Sequence, residues 1–102
     1  MKKNILRKNH EFQKVLKGKQ IVNRDFVIYY SKAKTQNYRI GISVSKKITN
    51  SVGRNSQRRK MRASFSKIIF PKYDYVIIVR KHGLSLSIWD TIKEINFLIN
   101  KI

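Results

Sequence analysis

Residues 39–65, RIGISVSKKITNSVGRNSQRRKMRASF, hold a strand pattern, then a helix pattern, with five cations among the nine residues from 54 to 62. Apolar and polar residues alternate over 38–45, which predicts a strand with one buried face. The residues expected to point inward are Ile40, Ile42 and Val44, and those expected to point outward are Arg39, Gly41, Ser43 and Ser45. This strand leads directly into the charged part of the chain.

The second half of the stretch predicts a helix from about 55 to 68. Apolar residues recur there at helical spacing, and Pro71 follows to stop the helix. The side chains expected to face the core are Met61, Phe65, Ile68 and Ile69. Beyond Pro71, the apolar run YDYVIIVR (73–80) is typical of a central strand that is covered on both faces.

Cations dominate the rest of this predicted helix, and residues 52–65 contain no acid. We expect Met61 and Phe65 to hold the face opposite the cations, with Lys60 on a different face. Like charges four residues apart disfavour a helix by about 0.2–0.5 kcal/mol per pair, so phosphates lying against the helix would offset a cost. Arginine also matches phosphate with a planar fork of donors. The alternative is a solvated charged face. The predicted outward rows are Arg54, Arg58 and Arg62, with Asn55 and Arg59 beside them.

The composition favours a polyanionic partner. The chain has 102 residues, enough for one domain spanning 1–102 and too few for two. Lys and Arg number 24 against five acids, which gives a formal net charge of +19 and a pI of about 10.7. Such self-repulsion destabilises a compact state unless an anion neutralises it, and nucleic acid is the commonest such anion.

Several classes of protein are disfavoured by what the sequence lacks. It has no cysteine, so it can form neither a disulfide nor a thiolate metal site. No apolar run reaches the length of a signal peptide or of a membrane span, so we expect a cytoplasmic location and no membrane partner. The cations do not lie opposite one exposed apolar stripe, which argues against a membrane-active helix.

The remaining elements are predicted from apolar spacing, caps and breakers. Residues 1–8 are expected to be frayed. A first helix over 10–17 has Asn9 as its cap, Glu11 at the positive end of its dipole and Gly18 at its end. In DFVIYYS (25–31), one face should hold Phe26, Ile28 and Tyr30 and the other Val27 and Tyr29. A short strand is expected over 20–23, and a hairpin loop is expected at KAKTQN, between 25–31 and 38–45.

The last helix is predicted to open with Ser87 as cap and Asp90 three residues on, a capping-box pattern. Its expected core stripe is Ile88, Ile92, Ile95 and Ile99, broadened by Trp89 and Leu98. The predicted order is therefore α-β-β-β-α-β-α. It indicates an α/β (α+β) fold with a single mixed sheet packed against helices.

The chain resembles the protein component of bacterial ribonuclease P over nearly its whole length. NHEFQKVLKGK is similar to the first helix of that family, NRDFVIYY to its next strand and YDYVIIVRK to its later strand. The block quoted at the outset, with its Arg-Asn pair and spaced cations, is the most specific part. The family usually has Arg-Asn-Arg at the helix start, whereas this chain has Ser56 in the third position. That substitution removes one expected cationic contact.

The resemblance implies a subunit that assists an RNA enzyme. In such proteins one copy binds a large catalytic RNA, which cleaves precursor tRNA to release the 5′ leader and generate the mature 5′ end. The RNA and its Mg²⁺ perform the hydrolysis, and the protein holds no cofactor of its own. The implied fold contains a left-handed βαβ crossover like that of domain 2 of ribosomal protein S5, an exception to the right-handed rule.

The resemblance also assigns roles to residues at matching positions. The cleft for the single-stranded leader would lie between the first helix and the sheet. Aromatic platforms beside a basic groove suit that task, because stacking does not depend on base sequence. The RNA-binding residues implied are Arg54, Asn55, Arg58, Arg59, Arg62, Lys46 and Lys47, and the leader-cleft residues are Phe12, Val15, Leu16 and Tyr29.

Other interpretations remain open at this point. Phe12 on an amphipathic helix is ordinarily a core residue. The runner-up function is a small structural RNA-binding protein of ribosomal type. A third possibility is a stand-alone ribonuclease using His10 and His82, although two histidines are more often surface residues. The five acids at 11, 25, 74, 90 and 94 form no close pair suited to acid–base chemistry, so we expect no catalytic residue in the polypeptide.

Overall fold

The computed structural model describes residue 6 and residues 9–102, apart from the side chain of Asn9. The predicted cap at Asn9 and the rest of the predicted frayed segment 1–8 lie outside the described residues. At Leu6 the predicted fraying is wrong, because its side chain is buried and its backbone N–H donates to the Ile40 carbonyl at 3.0 Å. The predicted order of elements is confirmed, with one addition: a 3₁₀ helix precedes the last α-helix. The elements are α1 (Asn9–Leu16), β1 (Lys19–Val22), β2 (Phe26–Lys32), β3 (Arg39–Val44), α2 (Ser51–Phe65), β4 (Tyr73–Val79), the 3₁₀ helix (Lys81–Ser85) and α3 (Ile88–Ile99).

The four strands form one mixed sheet in the order β1-β2-β4-β3. Strand β4 pairs antiparallel with β2 and parallel with β3, so the central position predicted for 73–80 is confirmed. The hairpin predicted between 25–31 and 38–45 is wrong, because β4 inserts between those two strands. The structure instead joins β1 to β2 by a tight turn. There the Asn23 side-chain oxygen accepts hydrogen bonds from the backbone N–H groups of Asp25 and Phe26, at 2.8 and 2.7 Å.

Helices cover both faces of the sheet. The main core lies on the face that α2 and α3 cover, and it contains the predicted inward row of β2 together with residues of β3 and β4. The two-face pattern predicted for β2 is confirmed, because Tyr29 packs in a second cluster on the other face. The fully buried side chains of the main core include Phe26, Ile28, Met61, Tyr75, Ile77, Ile95 and Leu98. Strands β3 and β4, joined through α2, form the expected βαβ unit, whose handedness stays a prediction.

Helix α1 covers the opposite face and buries residues that were expected to face solvent. The prediction that Arg39 and Gly41 point outward to water is wrong, because that face of β3 lies beneath α1. The Phe12 ring occupies the space that a Cβ atom at Gly41 would fill, so the absence of a side chain lets the helix approach the strand. The small cluster beneath α1 contains Leu6, Val15 and Val76, with Phe12, Leu16, Tyr29 and Ile78 packed against it.

An ion cluster fastens α1 to the sheet. The Arg39 guanidinium donates from Nε and Nη2 to the two carboxylate oxygens of Asp74, at 3.1 and 2.9 Å, and from Nη1 to Glu11. All three side chains are largely buried. The hydrogen bonds with Asp74, followed by the weaker effect of Glu11, raise the pKa of Arg39 above its ordinary value, although burial opposes them. Glu11 thus holds α1 on the sheet, beyond its predicted effect on the helix dipole.

Helix α2 begins and ends earlier than predicted. It starts at Ser51, because the Asn50 side chain caps it by accepting a hydrogen bond from the backbone N–H of Gly53 at 2.8 Å. It ends at Phe65, so the residues after it no longer follow helical spacing. Ile68 is buried as expected, but Ile69 is 92% exposed and its predicted core position is wrong.

Helix α3 has the predicted cap and most of the predicted core stripe. The members that are buried or partly buried as expected are Ile92, Ile95, Leu98 and Ile99. The Ser87 hydroxyl accepts a hydrogen bond from the Asp90 backbone N–H at 3.1 Å. The core position predicted for Trp89 is wrong, since its side chain is 73% exposed. Leu98 is buried and follows Trp89 by nine residues, which is two and a half turns, so the two residues lie on opposite sides of the helix. Ile88 is also 42% exposed, and the buried face centres on Ile95 and Leu98.

We predict that Arg39→Ala strongly destabilises the fold. The substitution leaves the Asp74 carboxylate buried without its bidentate donor. Breaking a buried ion pair in this way lowers the free energy of unfolding by about 3–5 kcal/mol. Urea unfolding followed by circular dichroism measures this free energy. Arg24→Ala is the matched control, because the Arg24 side chain is exposed and lies 3.9 Å from its nearest acid. Equal losses in the two variants would contradict the role assigned to the ion cluster.

Candidate nucleic-acid interface

Cations gather where β3 ends and α2 begins. Lys46 and Lys47 are exposed in the turn between these elements, and the Lys47 backbone N–H donates to the Ser45 hydroxyl at 3.0 Å. Thr49 packs against Gly53 so closely that a Cβ there would overlap it. The first turn of α2 carries no acidic residue, so the positive end of its dipole adds to the lysines. The turn and the helix start form one positive region.

The predicted cationic rows of α2 sit at the border of the buried face and beyond it. Arg54 and Arg58 are half-buried, whereas the other predicted members of the rows are exposed. The expectation that Met61 and Phe65 lie opposite the arginines is wrong for Arg54 and Arg58. Met61 follows Arg54 by seven residues, as Phe65 follows Arg58, and seven residues make almost two full turns, so each pair lies on one side of the helix. The exposed members of the two rows are Asn55, Arg59 and Arg62.

The cations of α2 form no ion pair with a carboxylate among the described residues. The salt bridges among residues 9–102 involve Arg24 and Arg39, and no α2 cation in that range pairs with a carboxylate. Their hydrogen bonds inside the chain go to neutral acceptors: Arg54 donates to the Thr49 carbonyl at 3.2 Å, and Arg58 to the Asn55 side chain at 3.3 Å. Most of their donors therefore remain available to an external anion. We use the name arginine face for Arg54, Asn55, Arg58, Arg59 and Arg62 together with Lys46 and Lys47.

Lys60 has a structural role that the sequence did not indicate. Its ammonium donates to the carbonyls of Gly83, Leu84 and Leu86, at 3.0, 3.3 and 2.8 Å. Burial lowers the pKa of Lys60. The prediction that Lys60 lies on a different face from the arginines agrees with these hydrogen bonds. The Lys60 ammonium faces the 3₁₀ helix and the residue after it. It cannot replace the cation missing at the exposed Ser56.

The predicted leader-cleft residues lie together between α1 and the sheet. Phe12, Leu16 and Tyr29 are half-buried and pack in the same small cluster, so each presents part of its side chain to solvent. Val15 differs, because it is only 1% exposed. A bound strand could not contact Val15 unless the helix moved, and Val15 therefore anchors α1. This cluster is on the opposite face of the sheet from α2 and α3.

The two histidines considered for a stand-alone ribonuclease lie on different elements of the described chain. His10 lies in α1 and His82 in the 3₁₀ helix, and both are exposed. Within residues 9–102 no group of three or more His, Asp or Glu side chains is arranged to hold a metal ion. None of the helices in this part of the chain is both long enough and apolar enough to cross a membrane.

Comparison with known proteins agrees with the sequence resemblance. The family model for Ribonuclease P matches residues 1–102. The ribonuclease P protein component of Listeria welshimeri is 42% identical over 99 residues, which covers 92% of this chain and 83% of the relative.

Solved structures agree as well. The Staphylococcus aureus RNase P protein superposes with a TM-score of 0.84 at 30% identity, covering 96% of this chain and 94% of that one. The RNase P protein of Thermotoga maritima gives a TM-score of 0.85 at 28% identity, covering 95% and 96%. The match extends over the arginine face, the cleft and the whole sheet, and the chain therefore belongs to the bacterial ribonuclease P protein family.

Proposed function

We propose that this chain is the protein subunit of a cytoplasmic ribonuclease P that removes the 5′ leader of precursor tRNA. The observation that supports this most directly is the arginine face, a set of cations on one helix and its preceding turn that pairs with no carboxylate among the described residues. In this proposal one copy of the protein binds one catalytic RNA. The RNA supplies the hydrolysis with its Mg²⁺, and the protein supplies binding energy.

The arginine face is suited to the catalytic RNA. Guanidinium groups offer paired donors to phosphate oxygens and are more weakly hydrated than ammonium groups, so they exchange water for phosphate at lower cost. Neutralising these cations also relieves the repulsion along α2 between residues four positions apart. RNA binding should therefore stabilise the helix that carries the contacts, which links the affinity for RNA to the stability of the fold.

The cleft beside α1 is suited to the 5′ leader. It contains two half-buried aromatic rings, Phe12 and Tyr29, on whose solvent-facing parts bases can stack, and Leu16 extends the apolar wall. Lys14 on α1 and Lys17 in the turn directly after it are exposed and can contact the backbone of a bound strand. Binding by stacking and charge tolerates any base sequence, as a subunit that serves many precursor tRNAs requires.

Reconstitution tests the proposed function. We expect that adding the protein to the matching catalytic RNA at low Mg²⁺ raises either the rate of precursor tRNA cleavage or the affinity for precursor tRNA. The control is the double variant Arg58→Ala, Arg59→Ala, which should give a smaller gain because two phosphate contacts are lost. If the protein gives no gain over RNA alone, the proposal is wrong.

Arg58→Ala should weaken RNA binding and reduce its salt dependence. Each phosphate contact releases counterions, so losing one should lower the slope of log K against log salt by about 0.7–1. Filter binding at several salt concentrations measures this slope. The matched control is Lys34→Ala, an exposed cation in the loop at the opposite end of β3. A slope equal to that of the unmodified chain would exclude Arg58 from the contacts.

Phe12→Ala should weaken binding of precursor tRNA with a leader and spare leaderless tRNA. Loss of one stacked base is expected to cost about 1–3 kcal/mol of binding free energy. Affinities of the reconstituted complex for the two tRNAs measure the difference. Unfolding in urea checks that the variant remains folded, because Phe12 also covers Gly41. An equal loss for both tRNAs would place Phe12 outside the leader site.

A further inference from the structure

The outward side of α3 and the turn after it carry a row of alternating aromatic and cationic residues. Trp89, Lys93 and Phe97 are spaced four residues apart, which places neighbours one above the other on the helix. Lys101 follows at the same spacing in the turn after the helix. Trp89 is 73% exposed and Phe97 is 60% exposed, although these are large apolar side chains. We call these four residues the α3 row. Its exposure is not a result of poor packing, because the other side of the helix buries Ile95 and Leu98 completely.

The geometry of the α3 row combines flat rings with positive charge. The Lys101 ammonium lies 4.6 Å from the centre of the Phe97 ring, a cation–π contact that holds the cation beside the ring. A shallow depression of about 490 Å³ adjoins Phe97, and its other lining residues are Lys93, Glu94, Asn96 and Asn100. Two of these are amides, which can donate to and accept from the edge of a base.

We infer that the α3 row is a separate stacking surface for unpaired nucleotides of an RNA. The rings of Trp89 and Phe97 would take the faces of bases, and Lys93 and Lys101 would take the adjoining phosphates. The combination of aromatic platforms and cations along one track is the physical basis of single-strand binding. Nothing in the proposed function assigns this helix, since the arginine face belongs to α2 and the leader cleft to α1.

Charge complementarity favours nucleic acid over other occupants. The cations separate the rings, so the surface lacks the continuous apolar patch that a protein partner would cover. A second copy of the chain would bring together two molecules of formal charge +19. Two acids also lie on α3: Glu94, which lines the depression, accepts a hydrogen bond from the Asn23 side chain at 3.1 Å, and Asp90 lies in the first turn of the helix beside Trp89.

The α3 row is distinct in position from the leader cleft. Helix α3 packs on the main core, whereas α1 lies across the sheet from it, so one short strand of nucleotides cannot fill both places. The nature of the occupant rests on the proposed function, because RNA is the polyanion that this function supplies. The α3 row would then contact a different unpaired segment of the same complex.

Fluorescence of the full chain tests this inference, because Trp89 is its only tryptophan. The probes are an adenine octanucleotide and an abasic octamer with the same number of phosphates. We expect the adenine strand to quench Trp89 emission in a saturable manner, since a base stacks on the indole. The abasic strand should bind through charge and leave the emission nearly unchanged.

Variants of exposed residues complete the test without perturbing the core. Phe97→Ala and Trp89→Ala should each weaken binding of a labelled adenine strand by about fivefold or more, the loss expected for one stacked base. They should leave binding of the abasic strand unchanged. Ile69→Ala is the matched control, because Ile69 is an exposed apolar residue outside α3. Circular dichroism checks that all three variants are folded.

The possible outcomes separate this inference from the proposed function. If the adenine strand binds but neither quenches Trp89 nor responds to the variants, the α3 row is not a stacking surface and the proposed function stands. If neither strand binds, the inference fails, and the reconstitution assay alone decides the proposed function. If emission instead depends on protein concentration without any oligonucleotide, and sedimentation shows a dimer that Phe97→Ala abolishes, the row is a contact between copies of the chain and the inference is overturned.

Discussion

Strand β4 is apolar on both faces, and the need to cover both faces determines the arrangement of everything else. Val76 faces α1, while Tyr75 and Ile77 face α2 and α3. One helix layer could not bury both sets, so the chain places helices on each side of the sheet. The same requirement separates the two proposed binding surfaces. The leader cleft lies on the α1 side, and the arginine face projects from a helix on the other.

The distribution of charge follows from the scarcity of acids. Two of the five acids, Glu11 and Asp74, hold Arg39 and so fix α1 to the sheet. Asp25 lies near Arg24, and Glu94 holds Asn23. Four of the five carboxylates thus interact with other side chains of the fold, and none of the salt bridges among the described residues involves a cation of α2. Composition gives only the total charge of the chain. Folding concentrates unpaired positive charge on the arginine face.

The sequence predicted the elements well, because their signals are local. Alternation identified β3, the β-branched and aromatic residues of 25–31 identified β2, the continuous apolar run identified β4, and Ser87 marked the start of α3. It failed where the outcome depends on contacts between distant segments. The position of β4 between β2 and β3 replaced an expected hairpin, and the cover provided by α1 turned Arg39 and Gly41 into buried residues.

The site was predictable to a similar extent. The cations of α2 were found from spacing, and the resemblance supplied the cleft residues, three of which are half-buried together. Two details required the fold. Val15 lies under the helix rather than in the cleft, because only a three-dimensional contact decides how deep a residue sits. Trp89 was assigned to the core because a short helix with many apolar residues has several possible apolar stripes. Spacing alone does not show which of these stripes faces the core.

Lys60 has a consequence for the angular setting of α2. Its ammonium fixes one flank of the helix to three carbonyls of residues 83–86, while the arginines project from other sides. These carbonyls belong to the connection between β4 and α3. The three hydrogen bonds from Lys60 to this connection therefore restrict rotation of α2 about its axis. A rotation of about 10° would move side-chain tips by about 1 Å at the radius of a helix surface, enough to misalign a guanidinium with a phosphate. The orientation of the arginines on α2 therefore depends on a segment, residues 83–86, that contains no arginine.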